Sequence, residues 1–219
     1  MFHYLYAIVE RLPTPWRPPP AGVGARPIVV HQVDGLVVIA SPLAAPPHGG
    51  PRTLTLHHDV VVAAMPAEAM LPFRFGALVP EPELIPWLRA HGPLVRSTLA
   101  RLRGCVEMNV KLLRLSADGP ASGELRALGE RLVERASVET WRYRASDSAG
   151  NVGASVAFLL PVAEVPAFLT RIAPVASHAV GAAVVPTGPW PAYSFVPSFD
   201  RRPLARAEGM DPPAHRQAG

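Results

Sequence analysis

The chain contains very little cysteine and very little lysine. Cys105 is the single cysteine among 219 residues, so neither an intrachain disulfide nor a cysteine zinc cage can form. This composition fits a reducing compartment. No signature of an activating base accompanies Cys105, and we interpret it as a small buried hydrophobe. Lys111 is the only lysine, so arginine supplies almost all of the positive charge.

A basic platform for nucleic acid is also missing. The formal net charge of +4 would permit an acidic partner. However, the arginines are scattered along the chain, and aromatic residues do not alternate with them as they do on surfaces that bind single strands. We therefore expect no nucleic-acid partner.

The sequence lacks a hydrophobic run of the kind that enters a membrane. The apolar run at residues 4–9 is too short for a signal peptide, and no basic residue precedes it. The longest uncharged stretch, residues 179–199, is interrupted by four prolines. A lipid-exposed helix could not satisfy its backbone through that stretch, so we expect no membrane contact.

What is present is a globular composition, 49% hydrophobic and 17% charged, with strand and helix patterns in alternation. Proline and glycine fill the loops at 12–27 and 42–51, and a hairpin signal stands at 148–151. The predicted strands span residues 4–9, 36–40, 70–79, 105–115, 138–146, 152–160 and 178–186, and the predicted helices span residues 54–65, 82–103, 122–136 and 165–175.

The order of these elements predicts an α+β fold made of two ferredoxin-like-related sheet-and-helix domains, each with its helices on one face. The second half has the ferredoxin-like order β-α-β-β-α-β if it includes the strand at 105–115. The predicted domains span residues 1–118 and 119–199, although that strand could belong to either. Residues 200–219 are polar and rich in proline and arginine, which predicts a flexible tail.

No catalytic, metal or cofactor site can be recognised. His57 and His58 are adjacent, so their side chains point about 100° apart on a helix and to opposite sides of a strand. They cannot bind one metal together, and nothing nearby supplies a third ligand. A phosphate-binding glycine loop and a Gly-x-Ser-x-Gly elbow are both absent.

Polar residues line one face of the strand at 105–115. Glu107 and Lys111 alternate with apolar residues, and Arg74 points away from the core on its own strand. Two interpretations stay open. One is an ion pair between Arg74 and Glu107, direct or through a neighbour, which would contribute a few tenths of a kcal/mol to about 1 kcal/mol. The other is a polar cleft that binds a partner.

A stiff aromatic segment, Thr-Gly-Pro-Trp-Pro-Ala-Tyr-Ser-Phe, occupies residues 187–195. Its prolines fix the backbone, and its three rings are costly to leave unpacked. The rings either cover the core, or Trp190 and Tyr193 anchor a partner. The candidate partner-binding residues are therefore Arg74, Glu107, Lys111, Trp190 and Tyr193.

Four blocks together resemble a known family. The blocks are residues 4–9, residues 71–76 (Leu-Pro-Phe-Arg-Phe-Gly), residues 106–112 and residues 187–195. Their order and spacing are similar to those of the gas vesicle accessory proteins of the L/F family. The resemblance covers about residues 3–196. It implies a ferredoxin-like amino-terminal domain followed by a second α/β domain.

The resemblance also implies a function. It predicts a non-enzymatic, cytoplasmic protein of gas vesicle assembly that contacts the small hydrophobic shell protein, other vesicle accessory proteins, or both. The alternative is an enzyme or small-molecule-binding module, because ferredoxin-like scaffolds host many functions. A concave pocket with converging polar groups and strongly shifted pKa values would indicate that alternative.

Overall fold

A computed structural model describes residues 1–116, 119–146 and 151–199. The strands are β1 (Phe2–Val9), β2 (Val29–Val33), β3 (Leu36–Leu43), β4 (Met70–Pro72), β5 (Leu78–Pro80), β6 (Cys105–Arg114), β7 (Thr140–Ala145), β8 (Val152–Pro161) and β9 (Ala182–Trp190). The helices are α1 (Pro51–Ala64), α2 (Leu84–Leu102), α3 (Ser122–Ala136) and α4 (Val165–Ser177). The predicted tail, the boundary residue 118 and the hairpin residues 148–150 lie outside the described part.

The first sheet is built around β1. Its strands follow the order β2-β3-β1-β4, and β5 pairs with the amino-terminal half of β1. Residues of β1 alternate between two cores, with Tyr4 and Tyr6 facing α1 and Leu5 facing α2. The prediction of helices on one face is wrong for this unit. Because β1 and β3 carry apolar side chains on both faces, both faces must be covered.

The second sheet has its helices on one face, as predicted. Its strands are antiparallel in the order β7-β8-β6-β9, and the chain order β6-α3-β7-β8-α4-β9 is the ferredoxin-like one. The ring centroids of Phe158 and Phe168 lie 5.1 Å apart in the core between this sheet and α4. The α+β class with two sheet-and-helix units is therefore confirmed.

Strand β6 lies inside the second sheet, where it pairs with β8 on one side and β9 on the other. The second unit thus has the strand that its ferredoxin-like order requires. The division into folding domains at residue 118 stays a prediction, and strand pairing by itself groups β6 with the second unit.

The predicted strand at 70–79 is wrong in one respect, because it is divided into β4 and β5. Pro72 ends the first piece, and a turn follows in which the Ala77 N–H donates to the Arg74 carbonyl. Gly76 in this turn has φ +88°, a backbone conformation that residues other than glycine rarely adopt. The turn carries Arg74 and Phe75 out of the sheet.

Three further local features differ from what the sequence pattern favours. The edge strand β2 is absent from the predicted elements; four of its five residues are half-buried and none is fully buried. An internal proline favours a kink or break, but α2 runs as one helix through Pro93. Serine is a favoured N-cap residue, but Ser122 is the first residue of α3; Ala121 holds the cap position, and the Glu124 carboxylate accepts its N–H at 2.8 Å.

Candidate functional site at the aromatic junction

The two aromatic segments of the sequence meet where the two units touch. Residues 71–76 leave β4, and residues 187–195 form the end of β9 and the turn that follows it. We call these two segments, with the side chains that contact them, the aromatic junction. It joins α1 and α2 of the first unit to the helix-free face of the second sheet.

The end of the second segment is part of a small core. Phe195 is 3% exposed and packs with Leu102 of α2 and Leu159 of β8. The Arg101 guanidinium donates to the Phe195 carbonyl, and the Arg142 guanidinium stands 5.7 Å from the Phe195 ring centroid. For Phe195, the interpretation that the segment covers the core is correct.

Glu107 holds the same segment from the sheet side. Its side chain is buried, with 5% of the residue exposed, and both carboxylate oxygens accept hydrogen bonds from Ser194. The Ser194 N–H donates to Oε2 at 2.8 Å, and the Ser194 hydroxyl donates to Oε1 at 2.8 Å. Hydrogen bonds to an ionised acceptor are shorter and stronger than neutral ones. Glu107 therefore fixes the turn at Ser194.

Arg74 holds the neighbouring residue from the first unit. Its guanidinium donates to the Tyr193 carbonyl at 3.3 Å. Within the described residues Arg74 and Glu107 form no direct ion pair, but they bind the consecutive residues Tyr193 and Ser194. The two side chains are thus connected through a neighbour. Burial and then the Glu107 charge raise the pKa of the Tyr193 phenol, while Arg74 opposes that rise.

Trp190 is the ring of this segment that reaches solvent. It is 39% exposed, its indole N–H donates to the Thr187 hydroxyl at 3.2 Å, and its ring lies 5.8 Å from that of His58 on α1. A bulge at Gly188 sets its position. A Cβ at Gly188 would stand 2.8 Å from the Glu107 carbonyl, and φ there is +124°. The indole is thus held by Thr187 and His58 while part of its surface reaches solvent.

Lys111 lies apart from the junction. It is exposed on the same face of β6 as Glu107, beside Ser155 of β8 and Val185 of β9. The structure therefore brings together four of the five candidate residues and leaves Lys111 out.

Sequence reasoning missed a buried hydrogen-bonded histidine next to the junction. His57 Nδ1 lies 2.8 Å from the Tyr4 hydroxyl, and Nε2 lies 3.0 Å from the Phe73 carbonyl. The carbonyl can only accept, so Nε2 carries the proton and Nδ1 accepts from Tyr4. Burial lowers the pKa of His57 to about 4. The available signal was that His57 shares the buried stripe of α1 with Val60, Val61 and Ala64.

The described residues contain neither a metal-binding cluster nor a cysteine thiol with a lowered pKa. No set of three or more His, Cys, Asp or Glu side chains there could hold a metal ion. Cys105 is half-buried beside the Phe195 core, and burial raises the pKa of its thiol. No helix among residues 1–116, 119–146 and 151–199 combines the length and apolar character needed to cross a bilayer.

Two shallow depressions, of about 430 and 380 Å³, lie on either side of the β2–β3 turn. Neither is lined by a residue of the segments 71–76 and 187–195. Their shared polar residue, Asp34, pairs with Arg89 at 3.4 Å, and its carbonyl accepts from Arg96 at 2.9 Å. The charged groups that line the first depression are thus occupied with one another.

The bond between Glu107 and Ser194 gives a first testable prediction. We expect Glu107→Gln to lower the free energy of unfolding by about 1–3 kcal/mol, because the half-buried N–H and hydroxyl of Ser194 lose a carboxylate acceptor. Combined with Ser194→Ala, the loss should be smaller than the sum of the two single losses. Urea denaturation followed by circular dichroism measures all three. Lys111→Gln, on the same strand face, should change stability by less than 0.5 kcal/mol; strictly additive effects would contradict the bond.

The fold and the aromatic junction define a class of protein: an α+β protein of two units whose sheets are joined by two aromatic segments. The family follows from comparison, because the chain matches the model of the gas vesicle synthesis protein GvpL/GvpF family over residues 2–144 and 121–197. The chain therefore belongs to the GvpL/GvpF family, as the four sequence blocks predicted. Membership gives it a role in gas vesicle formation.

Solved structures agree on the fold. The crystal structure of the gas vesicle protein GvpF from Anabaena sp. PCC7120 is 17% identical, with a TM-score of 0.76 over 91% of this chain and 97% of that one. That of GvpF from Microcystis aeruginosa is 14% identical, with a TM-score of 0.69 over 90% of this chain and 99% of that one. No curated protein matches the chain.

Proposed function

We propose that the protein is a non-enzymatic, cytoplasmic accessory protein of gas vesicle assembly that binds the small hydrophobic shell protein, other vesicle accessory proteins, or both. The single observation that carries the proposal is the partial exposure of Trp190, 39%, at the aromatic junction of a GvpL/GvpF family member. An aromatic ring held on a rigid support and partly open to solvent is the kind of residue that anchors protein partners.

The physical need for such a protein follows from the shell. A subunit that forms a water-repelling inner wall carries apolar surface or strand edges, which aggregate unless they are covered before assembly. A second protein can cover them with an apolar anchor or by pairing with a strand edge. Binding and release are sufficient for this task, and no bond has to be made or broken.

The residues of the junction divide this work. Trp190 is the proposed contact, and Tyr193 supports the turn from its half-buried position. Arg74 and Glu107 bind Tyr193 and Ser194 and so position the turn that follows Trp190. Their hydrogen-bonding groups are used within the protein, and they are not proposed to contact the partner. Lys111 lies outside the junction and would contribute only by its charge.

The geometry gives less support to an enzyme or a small-molecule-binding module. Such a site needs a concave pocket where free polar groups and shifted pKa values converge. Here the depressions lie beside Asp34, whereas the phenols and the imidazole with the most shifted pKa values belong to Tyr4, His57 and Tyr193. Tyr4 and His57 are hydrogen-bonded to each other in the first unit, and the Tyr193 ring packs against the same core.

The second prediction tests the anchor. We expect Trp190→Ala to reduce retention of the shell protein in a pull-down by about tenfold, because a central aromatic anchor typically contributes more than 1 kcal/mol to binding. The fold should persist, since the ring is partly exposed. Ile85→Ala, which trims another exposed apolar side chain at 48% exposure, should retain the shell protein normally.

Parallel pull-downs with the shell protein and with each other vesicle protein distinguish the partners. Capture of the shell protein supports direct binding of the shell subunit, and capture of accessory proteins alone supports a scaffold role. If Trp190→Ala unfolds the protein, the ring belongs to the core and the anchor is excluded. If the wild-type protein captures none of these partners, the proposed function is wrong.

A further inference from the structure

The helix-free face of the second sheet carries a group of cations that extends from the edge of the aromatic junction, where Arg142 stands over Phe195, to positions outside it. One cross-strand row places Arg144 beside Ser155 and Ser155 beside Lys111. Arg142 stands one row nearer the junction, on the same face of β7. All three cations are exposed. We call Lys111, Arg142 and Arg144 the basic strip.

These charges are not neutralised within the described part of the chain. Neither Lys111 nor Arg144 takes part in an ion pair or a hydrogen bond of its side chain there. Arg142 donates only to the carbonyl of its own neighbour Trp141, at 3.1 Å, while it stands over the Phe195 ring. The acidic residue of the described strands on this face, Glu107, is buried and engaged with Ser194. The strip therefore presents positive charge to solvent.

The strip lies along an open sheet edge. Strand β7 is the terminal strand of its sheet, and among the described strands it pairs only with β8. Its other edge offers backbone N–H and C=O groups to an incoming strand. Arg142 and Arg144 project from this edge strand on one face, while Trp141 and Tyr143 pack against the core on the other. Alternate residues of a strand are about 6.5–7 Å apart. Arg142 and Arg144 therefore have the same spacing as alternate side chains on a strand that pairs with β7.

We propose that β7 and the basic strip bind an extended acidic segment of a partner protein. The segment adds to the sheet beside β7, and carboxylates on its alternate residues meet Arg142 and Arg144. Charge complementarity selects an acidic partner, and the free strand edge selects a peptide. A nucleic acid could also meet the charges, but it could not pair with the strand edge, and the strip contains no ring for base stacking. This surface is separate from Trp190 and goes beyond the proposed function.

The test uses the full chain and a fluorescein-labelled nine-residue peptide that alternates glutamate and valine. Fluorescence anisotropy should detect binding that weakens by about tenfold as NaCl rises from 50 to 500 mM, because exposed charges are screened. Arg142→Glu combined with Arg144→Glu should weaken binding at least tenfold. The matched control, Arg131→Glu with Arg135→Glu, makes the same charge change on exposed α3 positions and should bind normally.

The pairing of strands has its own arm. A peptide of equal charge with prolines in place of two valines should bind at least tenfold more weakly, because proline cannot donate to a strand ladder. Equal binding of the two peptides would overturn strand addition. Equal loss in the α3 control would overturn the basic strip as the site. Tighter binding of a nine-nucleotide single strand than of the peptide would overturn a protein partner.

Circular dichroism verifies the fold of each variant. If the double charge reversal does not fold, Lys111→Gln with Arg144→Gln removes two of the cations at lower cost and should weaken peptide binding about threefold. Unchanged binding in that variant would overturn the proposal. Trp190→Ala should bind the peptide normally, so that a failure of the anchor and a failure of the basic strip are distinguishable.

Discussion

Phe195→Ala is expected to lower the free energy of unfolding by about 3–5 kcal/mol, the range typical of a buried phenylalanine replaced by alanine. The ring is 3% exposed between Leu102 of α2 and Leu159 of β8, so its removal leaves a cavity between the two units. The Arg142 guanidinium also loses the ring beneath it. The substitution therefore weakens the contact through which the aromatic junction holds the two sheets together.

Urea denaturation at pH 7.5, followed by circular dichroism, measures this loss. Phe199→Ala is the matched control, because Phe199 is half-buried and packs against Trp87 at a ring distance of 5.3 Å, outside the cluster around Phe195. We expect the control to lose about half as much stability or less. A loss below 1 kcal/mol for Phe195→Ala would mean that the segment rests on the second sheet without holding the units together.

Period and propensity were sufficient to predict the elements with a clear buried side. Val110 and Leu112 alternate with polar residues on β6, and they lie in the core that α3 and α4 cover. The apolar stripe of α3, with Leu125 and Leu132, is buried at the predicted spacing. In these elements the side-chain pattern alone records which face is covered.

The missed features depend on contacts between distant parts of the chain. Strand β2 has His31 and Gln32 in its middle and lies at a sheet edge, so its sequence does not alternate strongly. The placement of α1 and α2 on opposite faces of the first sheet follows from the two-sided burial of β1. A continuous apolar strand is compatible with several arrangements of its neighbours, and periodicity does not choose among them.

The candidate site was predictable in its residues but not in its connections. Arg74 and Glu107 were paired because each faces away from the predicted core, yet the structure links them only through Tyr193 and Ser194. The sequence does not indicate the role of Ser194, because a serine between two aromatic residues has no distinctive pattern. Its role depends on the segment crossing over Glu107, which is a tertiary contact between residues 87 positions apart.

His57 leads to a second large effect, which depends on pH. Its imidazole is 5% exposed, lies between the Tyr4 hydroxyl and the Phe73 carbonyl, and stacks on the Tyr6 ring at 5.7 Å. Burial is the main cause that lowers its pKa from 6.5 to about 4; the Phe73 carbonyl opposes the shift, and His58 adds to it. The charged imidazole is thus much less stable in the folded protein than in the unfolded chain.

The sign of the effect follows from that shift. Above pH 6.5 the histidine is neutral in both states, and its contribution to stability is complete. As pH falls from 6.5 towards 4, the unfolded chain takes up a proton that the folded protein does not, so stability falls. With these two pKa values the loss is about 2 kcal/mol at pH 5. His3 adds a loss in the same direction, because burial and His31 lower its pKa while Glu81 opposes them.

His57→Gln isolates the contribution of this one residue. Glutamine can donate to the Phe73 carbonyl and accept from Tyr4, but it does not titrate. We expect the difference in unfolding free energy between pH 7.5 and pH 5 to be about 2 kcal/mol smaller in His57→Gln than in the wild-type protein, as measured by urea denaturation at both values. The exposed His48→Gln variant should keep the wild-type response.

An unchanged pH response in His57→Gln would mean that His57 takes up a proton in the folded protein about as readily as in the unfolded chain. That outcome contradicts its burial between Tyr4 and Phe73, because a charged imidazole there would lose its water without gaining a carboxylate among its described contacts. The expected outcome instead ties acid sensitivity to the segment at residues 71–76, whose Phe73 carbonyl and Gly76 N–H bind the same His57–Tyr4 pair. Mild acid would then loosen the first-unit side of the aromatic junction, and partner retention through Trp190 should fall with it.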